Sequence, residues 1–356
     1  MKTTRLIWVA LAAAMCTTAV RAEEIVTNRL SASLRFGLNI SARFKGNAAF
    51  LPALANARTT PGGDAYNYHD GYVLTDGTGN EGGQTWYWGY DNSATYPAGQ
   101  ISSGSSFPAN TILFSRSAPS GEFASPDTSD SPQMGVEITY DRYLTTRNGT
   151  TYGVEFAANF LNLSLRDDRA YSGNALRTTD AYPYTPGTTP PAASSGSPYQ
   201  GSYDGYGFLL GSSPVASTTA VVPGGVTISG NRKLDANLWG IRLGPYMDIP
   251  VEDKWNVWFT AGLAVGVLVA DAAWSETFTV PGPISVSSAG NGSDTQVLWG
   301  WYAGAHISFD INERWSALAG VQYQDLGKYS HDFGGRTVEL DLSQSIFVTL
   351  GVSYRF

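Results

Sequence analysis

Apolar and polar residues alternate with a period of two over runs of ten residues or more, and this pattern limits what the chain can fold into. Ala32, Leu34, Phe36, Leu38, Ile40, Ala42 and Phe44 share one face of an extended segment, while Ser31, Ser33, Arg35, Gly37, Asn39, Ser41 and Arg43 share the other. On a helix the same residues would scatter around the circumference. Past the N-terminal segment no apolar run approaches the roughly 18 residues of a membrane helix, although 42% of the 356 residues are hydrophobic and 40 are glycine. The residues therefore predict an all-β chain, a single antiparallel transmembrane β-barrel with lipid outside and a polar lumen inside.

Seven further strands follow from the same period. Met134, Val136, Ile138 and Tyr140 run in, and Tyr152, Val154, Phe156, Ala158 and Phe160 run out, joined through Asn148-Gly149, a dipeptide suited to a type I′ turn. The fourth strand sets Trp239, Ile241, Leu243 and Met247 against Gly240, Arg242, Gly244 and Asp248, with a phase change near Leu238 that reads as a bulge. The fifth places Trp255 to Val267 outward at alternate positions, the sixth Val297 to Phe309, and the seventh Trp315 to Tyr323. The eighth runs from Val338 through Leu342 and Ile346 to Phe356. Eight is an even number, as single-chain bacterial barrels require.

Connections alternate in length, which orients the barrel. Asp141 to Thr151, Pro250 to Lys254 and Asn312 to Arg314 are short and predicted periplasmic; Lys45 to Ser131, Arg166 to Arg232, Ala273 to Asp294 and Leu326 to Arg336 are long and predicted extracellular. Tyr140, Tyr152, Trp255, Trp315, Tyr354 and Phe356 would form an inner aromatic girdle, and Phe44, Phe160, Trp239, Trp299 and Tyr323 an outer one. Thr85 to Tyr90 and Thr111 to Arg116 are strand-like but shorter than the roughly 9 to 11 residues a spanning strand needs, so they read as extracellular extensions. Tyr184 to Ser202, rich in Pro, Gly, Ser and Thr, has no apolar period and reads as a mobile loop.

At the N-terminus, Lys2 and Arg5 precede an apolar core from Leu6 to Met15 and a small-x-small site at Val20-Arg21-Ala22, so residues 1–22 read as a secretory signal peptide and residues 23–356 as the barrel. Cys16 lies in that segment after Met15, where a lipoprotein signal would want a small residue. Removing the cations Lys2, Arg5 and Arg21 takes the formal charge from -8 to -11. Such an acidic chain argues against nucleic acid as a partner and suits a surface that meets divalent cations.

The other end, Thr349-Leu350-Gly351-Val352-Ser353-Tyr354-Arg355-Phe356, resembles the β-signal of Gram-negative outer-membrane barrels, with Gly351, Tyr354 and Phe356 as the signal residues. The eight-stranded plan is similar to the membrane domain of the OmpA family, with nothing after the eighth strand to bind peptidoglycan. This resemblance implies a place in the cell outer membrane. It also implies the barrel-assembly machinery, periplasmic chaperones, outer-membrane lipid and lipopolysaccharide as partners, and no cofactor.

Three functional classes remain. A bore of eight strands is filled by side chains, so Arg35, Arg43 and Arg242 are expected to pair inside it with Glu137, Glu155, Asp248, Asp310, Glu339 and Asp341. A paired lumen predicts a structural or cell-surface role; exchange of partners would make a narrow or gated channel for small solutes. Among lipid A deacylases a His-x-Ser pair is catalytic, and His306-Ile307-Ser308 has that spacing. The pair lies near the periplasmic end, out of reach of an outer-leaflet substrate, so we expect no enzyme and a satisfied His306 near Asp310. Asp76, Trp86, Trp88 and Tyr90 in the first long connection combine a carboxylate with stacked aromatics and are a candidate ligand surface, whereas His69 and His331 lack metal-ligand spacing.

Overall fold

The computed structural model describes residues 28–54, 67–74, 81–85, 87–90, 102, 104, 106–129, 132–184, 209–281 and 284–356. The expected signal peptide, Cys16, Asp76, Trp86 and most of the Tyr184 to Ser202 segment lie outside the described residues.

Eight strands form a closed antiparallel ring: β1 (Asn28–Leu38), β2 (Gln133–Arg147), β3 (Thr150–Asp167), β4 (Ala216–Glu252), β5 (Trp255–Val280), β6 (Ile284–Asp310), β7 (Trp315–Asp325) and β8 (Ser345–Arg355). Each pairs with its sequence neighbours, and β8 returns to β1 in a register from Arg29↔Arg355 to Leu38↔Ile346. Asn28 and Phe356 exchange backbone hydrogen bonds of 3.1 and 3.0 Å across this seam. Closure leaves the ring without an edge, which spanning a bilayer requires because lipid offers no partner for a backbone amide. The β2–β3 turn is tighter than the sequence suggested: Asn148 and Gly149 carry φ of 53° and 81°, as a type I′ turn demands, and Asp141 to Arg147 belong to β2.

The outer face of the ring is apolar, with Leu263 72% and Trp299 73% exposed and Leu34, Val136, Ile241 and Leu350 about half exposed. Exposure of this size in a closed ring is what a lipid-facing band requires. Phe160 meets Trp239 at 4.5 Å near the band's upper limit, and Trp315 meets Tyr354 at 5.0 Å near the lower.

Above the band the polarity of every long strand inverts. Along β3 the outward positions change from Phe156, Ala158 and Phe160 to Asn162, Ser164 and Arg166, while the inward ones change from Glu155 and Asn159 to Leu161, Leu163 and Leu165. Along β4 the inversion falls between Leu238, which is buried, and Trp239, which is exposed. The bulge expected near Leu238 is absent, since the ladders to β3 and β5 run without a shift from Arg232 to Leu243. The phase change is a change of solvent, from water outside and oil inside to the reverse. Ile40, Ala42, Phe44, Leu163, Leu234, Leu268, Val338 and Leu340 accordingly form an apolar core within the wall above the membrane.

The first predicted strand therefore does not run unbroken to Phe44. It stops at Leu38, Asn39 turns through φ 58°, and the chain resumes as Ser41–Asn47 in a separate four-stranded sheet. That sheet orders Lys328–Asp332, Arg336–Asp341, Ser41–Asn47 and Glu122–Ala124, so the predicted eighth strand also splits, at 342–344. Phe44, expected in the outer girdle, is buried in the upper core. Nor are the long connections simple loops: β5 and β6 stay paired from Trp255↔Phe309 to Val280↔Ile284, replacing the expected 273–294 loop with a ribbon. In the second connection Tyr171–Pro183 pairs with the start of β4 and with Thr111–Ser120, so both segments extend the sheet beyond the ring.

Candidate functional site

The lumen at membrane depth is crossed by one layer of polar groups from β1 to β7, with an aromatic ring from β8. Arg35 of β1 donates to Glu137 of β2 at 2.5 Å and to Gln324 of β7. Arg242 of β4 reaches the other oxygen of Glu137 at 2.8 Å, lies 3.8 Å from Glu155 of β3 and donates to Gln322 of β7. Tyr302 of β6 donates to Glu155 at 3.2 Å and accepts from Thr260 of β5 at 3.3 Å. Phe347 of β8 completes the ring, its face 3.7 Å from the Arg35 guanidinium carbon. Arg35 and Arg242 are each 1% exposed. Two buried guanidinium groups are tolerated because each keeps a carboxylate and an amide oxygen, where a lone charge would cost several kcal/mol.

A second layer lies nearer the short turns. Arg29 bonds to Asp141 at 2.7 Å and Asp248 at 3.1 Å, and packs 4.2 Å over Trp258. The lowest pair is Asp310 with Arg355, two bonds of 2.9 Å, supported by Ser316 and Asn256. Of the charges expected inside, Arg35, Glu137, Glu155, Arg242, Asp248 and Asp310 are in the bore. Arg43, Glu339 and Asp341 are not. They lie beyond the break at Asn39 and the inversion of polarity, face outward, and pair with Asp127, Lys45 and Lys328. Arg29 and Asp141 join this set because β1 starts before Ser31 and β2 continues past Asp141. Parity could have found Arg29, which shares a face with Ser31 and Arg35.

A buried ion network also forms above the membrane, with no counterpart in the sequence reading. Arg232 binds Glu276 at 3.0 Å and lies 3.4 Å from Asp167, and Arg336 binds Glu276 at 2.8 to 2.9 Å. These residues fell in connections read as loops.

His306 is not the satisfied histidine that was expected near Asp310. Its ring stacks on Trp258 at 4.7 Å, and neither ring nitrogen nor the Ser308 hydroxyl has a hydrogen-bond partner among the described residues. The two side chains thus share a face without forming a base–nucleophile bond. His69 accepts from the Ser117 amide through Nδ1, and His331 pairs with Asp294 at 3.2 Å.

Of the candidate ligand surface, Trp88 is fully buried in a cluster beyond the ring with Tyr68, Ile112, Phe114 and Tyr182, so its indole is core and not a binding face. Tyr90 ends the strand Trp88–Tyr90. Tyr68 donates to Asp180 at 2.7 Å, and burial together with this carboxylate drives its phenol pKa far upward.

A closed eight-stranded ring with an apolar outer band and a charged bore fits a bilayer and no aqueous compartment. The protein is an eight-stranded transmembrane β-barrel. No protein-family model matches its sequence, and no curated protein does. Solved structures similar to the barrel include Ail, the attachment invasion locus protein of Yersinia pestis, at 11% identity over 93% of this chain and 99% of that one, with a TM-score of 0.27. The outer membrane protease OmpT of Escherichia coli matches at 7% identity over 96% and 100%, TM-score 0.33, and OprG of Pseudomonas aeruginosa at 10% over 94% and 99%, TM-score 0.31. One of these similar structures is a protease, and the expectation of no enzyme does not stand against it.

Proposed function

We propose that the barrel is a closed, non-conducting scaffold that serves a structural or interactive role at the cell surface through the ordered β-structure it carries above the membrane. The carrying observation is the polar layer built by β1 to β7 and closed by Phe347 of β8, in which Glu137 is shared by Arg35 and Arg242. An ion passing this level would have to separate charges whose pairing offsets their desolvation, and it would then meet the apolar core formed by Leu163, Leu234 and Leu340. The test is single-channel recording of the purified barrel in planar bilayers across salt and pH. Silence or rare small openings support the scaffold, with Arg35→Ala or Arg242→Ala raising leakage or lowering thermal stability. Steady, ion-selective conductance overturns it and favours a gated narrow channel. One contact supports that second reading: Arg242 stands between two carboxylates, 2.8 Å from Glu137 and 3.8 Å from Glu155, so a partner exchange is geometrically close.

A further inference from the structure

We infer that the upper edge of β6, from Ile284 to Asn291, is a docking site for an extended, uncharged peptide segment of another protein, which adds to the wall as a further strand. At membrane depth the ring has no edge, but above it the wall is not closed. β6 is bonded to β5 along its whole length and to β7 only from Trp301 to Asp310. Among the described residues, its continuation from Ile284 to Gly300 therefore has a ladder on one side only. The chain that would have extended the β7 ladder turns away at Gly327, φ 74°, and as Lys328–Asp332 pairs with Arg336–Asp341 instead. Side chains bridge the seam this leaves: His331 reaches Asp294 at 3.2 Å, and Phe333 lies against Gly292. Both contacts lie below Asn291.

The ladder fixes which backbone groups are free. The Asp310 amide donates to the Lys254 carbonyl at 2.8 Å, and the β5–β6 register runs without a shift from Trp255↔Phe309 to Val280↔Ile284. Bonded and non-bonded pairs alternate along an antiparallel ladder, so even-numbered residues of β6 bond to β5 and odd-numbered ones point away from it. Near the membrane the odd positions meet β7, as the Ile311 amide meets the Trp315 carbonyl at 2.9 Å. Higher up, Ser285, Ser287, Ala289 and Asn291 present their N–H and C=O groups to the open side, over the length of an ordinary strand. Sheet edges are normally guarded by lysine, proline, a bulge or an inward charge, and the segment from Ile284 to Ser293 has none of these. Without charge it gives an ionic ligand no hold. What it offers is a row of main-chain hydrogen bonds, which an added strand uses. Ile284 and Val286 are buried on the inner face with Phe278, while Ser285, Ser287, Ala289 and Asn291 are small and exposed on the outer. The strand that fits is uncharged, antiparallel to β6 and apolar on its inward side. The inference rests on the interactive role proposed above and names its surface; conductance reports on the bore and peptide binding on the edge, so failure of one is distinguishable from failure of the other.

The test is binding of a capped, fluorescently labelled decapeptide of alternating Thr and Val to the full-length protein folded in detergent micelles, followed by anisotropy and by amide hydrogen exchange, with empty micelles as the blank. In the free barrel the amides of Ser285, Ser287, Ala289 and Asn291 should exchange fast and those of Val286, Ser288 and Gly290 slowly; bound peptide should slow the first set. Ala289→Pro removes a donor that faces the open side and spares the β5 ladder, so we expect binding weaker by about three- to tenfold. Adding Ser287→Pro should weaken it by a similar factor again. Normal heat-dependent gel mobility of both variants separates lost binding from lost folding, and the same peptide N-methylated at every residue, which cannot donate, tests the edge on the unaltered protein. Slow exchange at the four odd-numbered amides in the free barrel, no binding of the peptide, equal binding of its N-methylated form, or unchanged binding by the double-proline variant would each overturn the assignment.

Discussion

Arg29 holds two carboxylates from β2 and β4 at once, so its removal is a more severe change than the loss of an ordinary ion pair. Arg29→Ala would leave Asp141, 1% exposed, with an uncompensated buried charge. The expected cost is about 3–5 kcal/mol, read as a lower midpoint of the heat-dependent gel shift. Adding Asp141→Asn should restore part of it, because the residual penalty is then that of a neutral group. Gly320 is a second sensitive position. A Cβ there would overlap Nδ1 of His306, which is held against Trp258. Gly320→Ala should therefore destabilise the barrel, and His306→Ala should relieve the defect in the double variant; an additive loss in the double variant would show that the clash is not the cause. Gly351 has a comparable constraint at the closure seam, since a Cβ would meet the backbone carbonyl of Ala32.

Within single elements the decisive events are breaks that parity cannot reveal. Alternation from Ala32 to Phe44 is perfect in the sequence, yet Asn39 at φ 58° divides it into a membrane strand and a segment whose even residues face inward. The side chain of Asn39 donates to the Gln344 carbonyl at 2.8 Å, tying this break to the one in the return strand. Asn39→Gly should keep the backbone turn, whereas Asn39→Val should cost roughly 1–2 kcal/mol more because a β-branched residue resists the left-handed region; thermal midpoints of the two variants decide the order. Elsewhere the element pattern was legible. The eight ring strands and the inward parity of Arg35, Glu137, Glu155 and Arg242 follow from period two, and the turn at Asn148-Gly149 from its dipeptide. What stayed hidden depends on which solvent each height of the wall meets. Arg43, Glu339 and Asp341 have the parity of lumen residues and a different environment, and Glu276 and Arg232 occupy ribbons that lack lipid-facing apolar residues.

For the molecule as a whole, closure and insertion draw on the same terminal residues. Phe356 bonds through its backbone to Asn28, and its ring faces outward beside Tyr354. Reading the end of the chain as an assembly signal, we expect Phe356→Asp to lower the amount of protein reaching the outer membrane more than it lowers the melting point of what arrives; quantitative immunoblotting of fractionated membranes measures this, and normal amounts would remove the signal role. The reversal of polarity between Leu238 and Trp239, repeated at Phe160 and Asn162 on the neighbouring strand, also acts as a depth gauge. Raising the barrel by one pair of residues, about 6–7 Å along a strand, would lift Trp239 and Phe160 out of lipid. Lowering it equally would drown Asn237, Asp235 and Asn162. Immersion is thus set by side chains arranged around the circumference, and a bilayer of mismatched thickness has to deform to meet this protein because the wall is not free to slide.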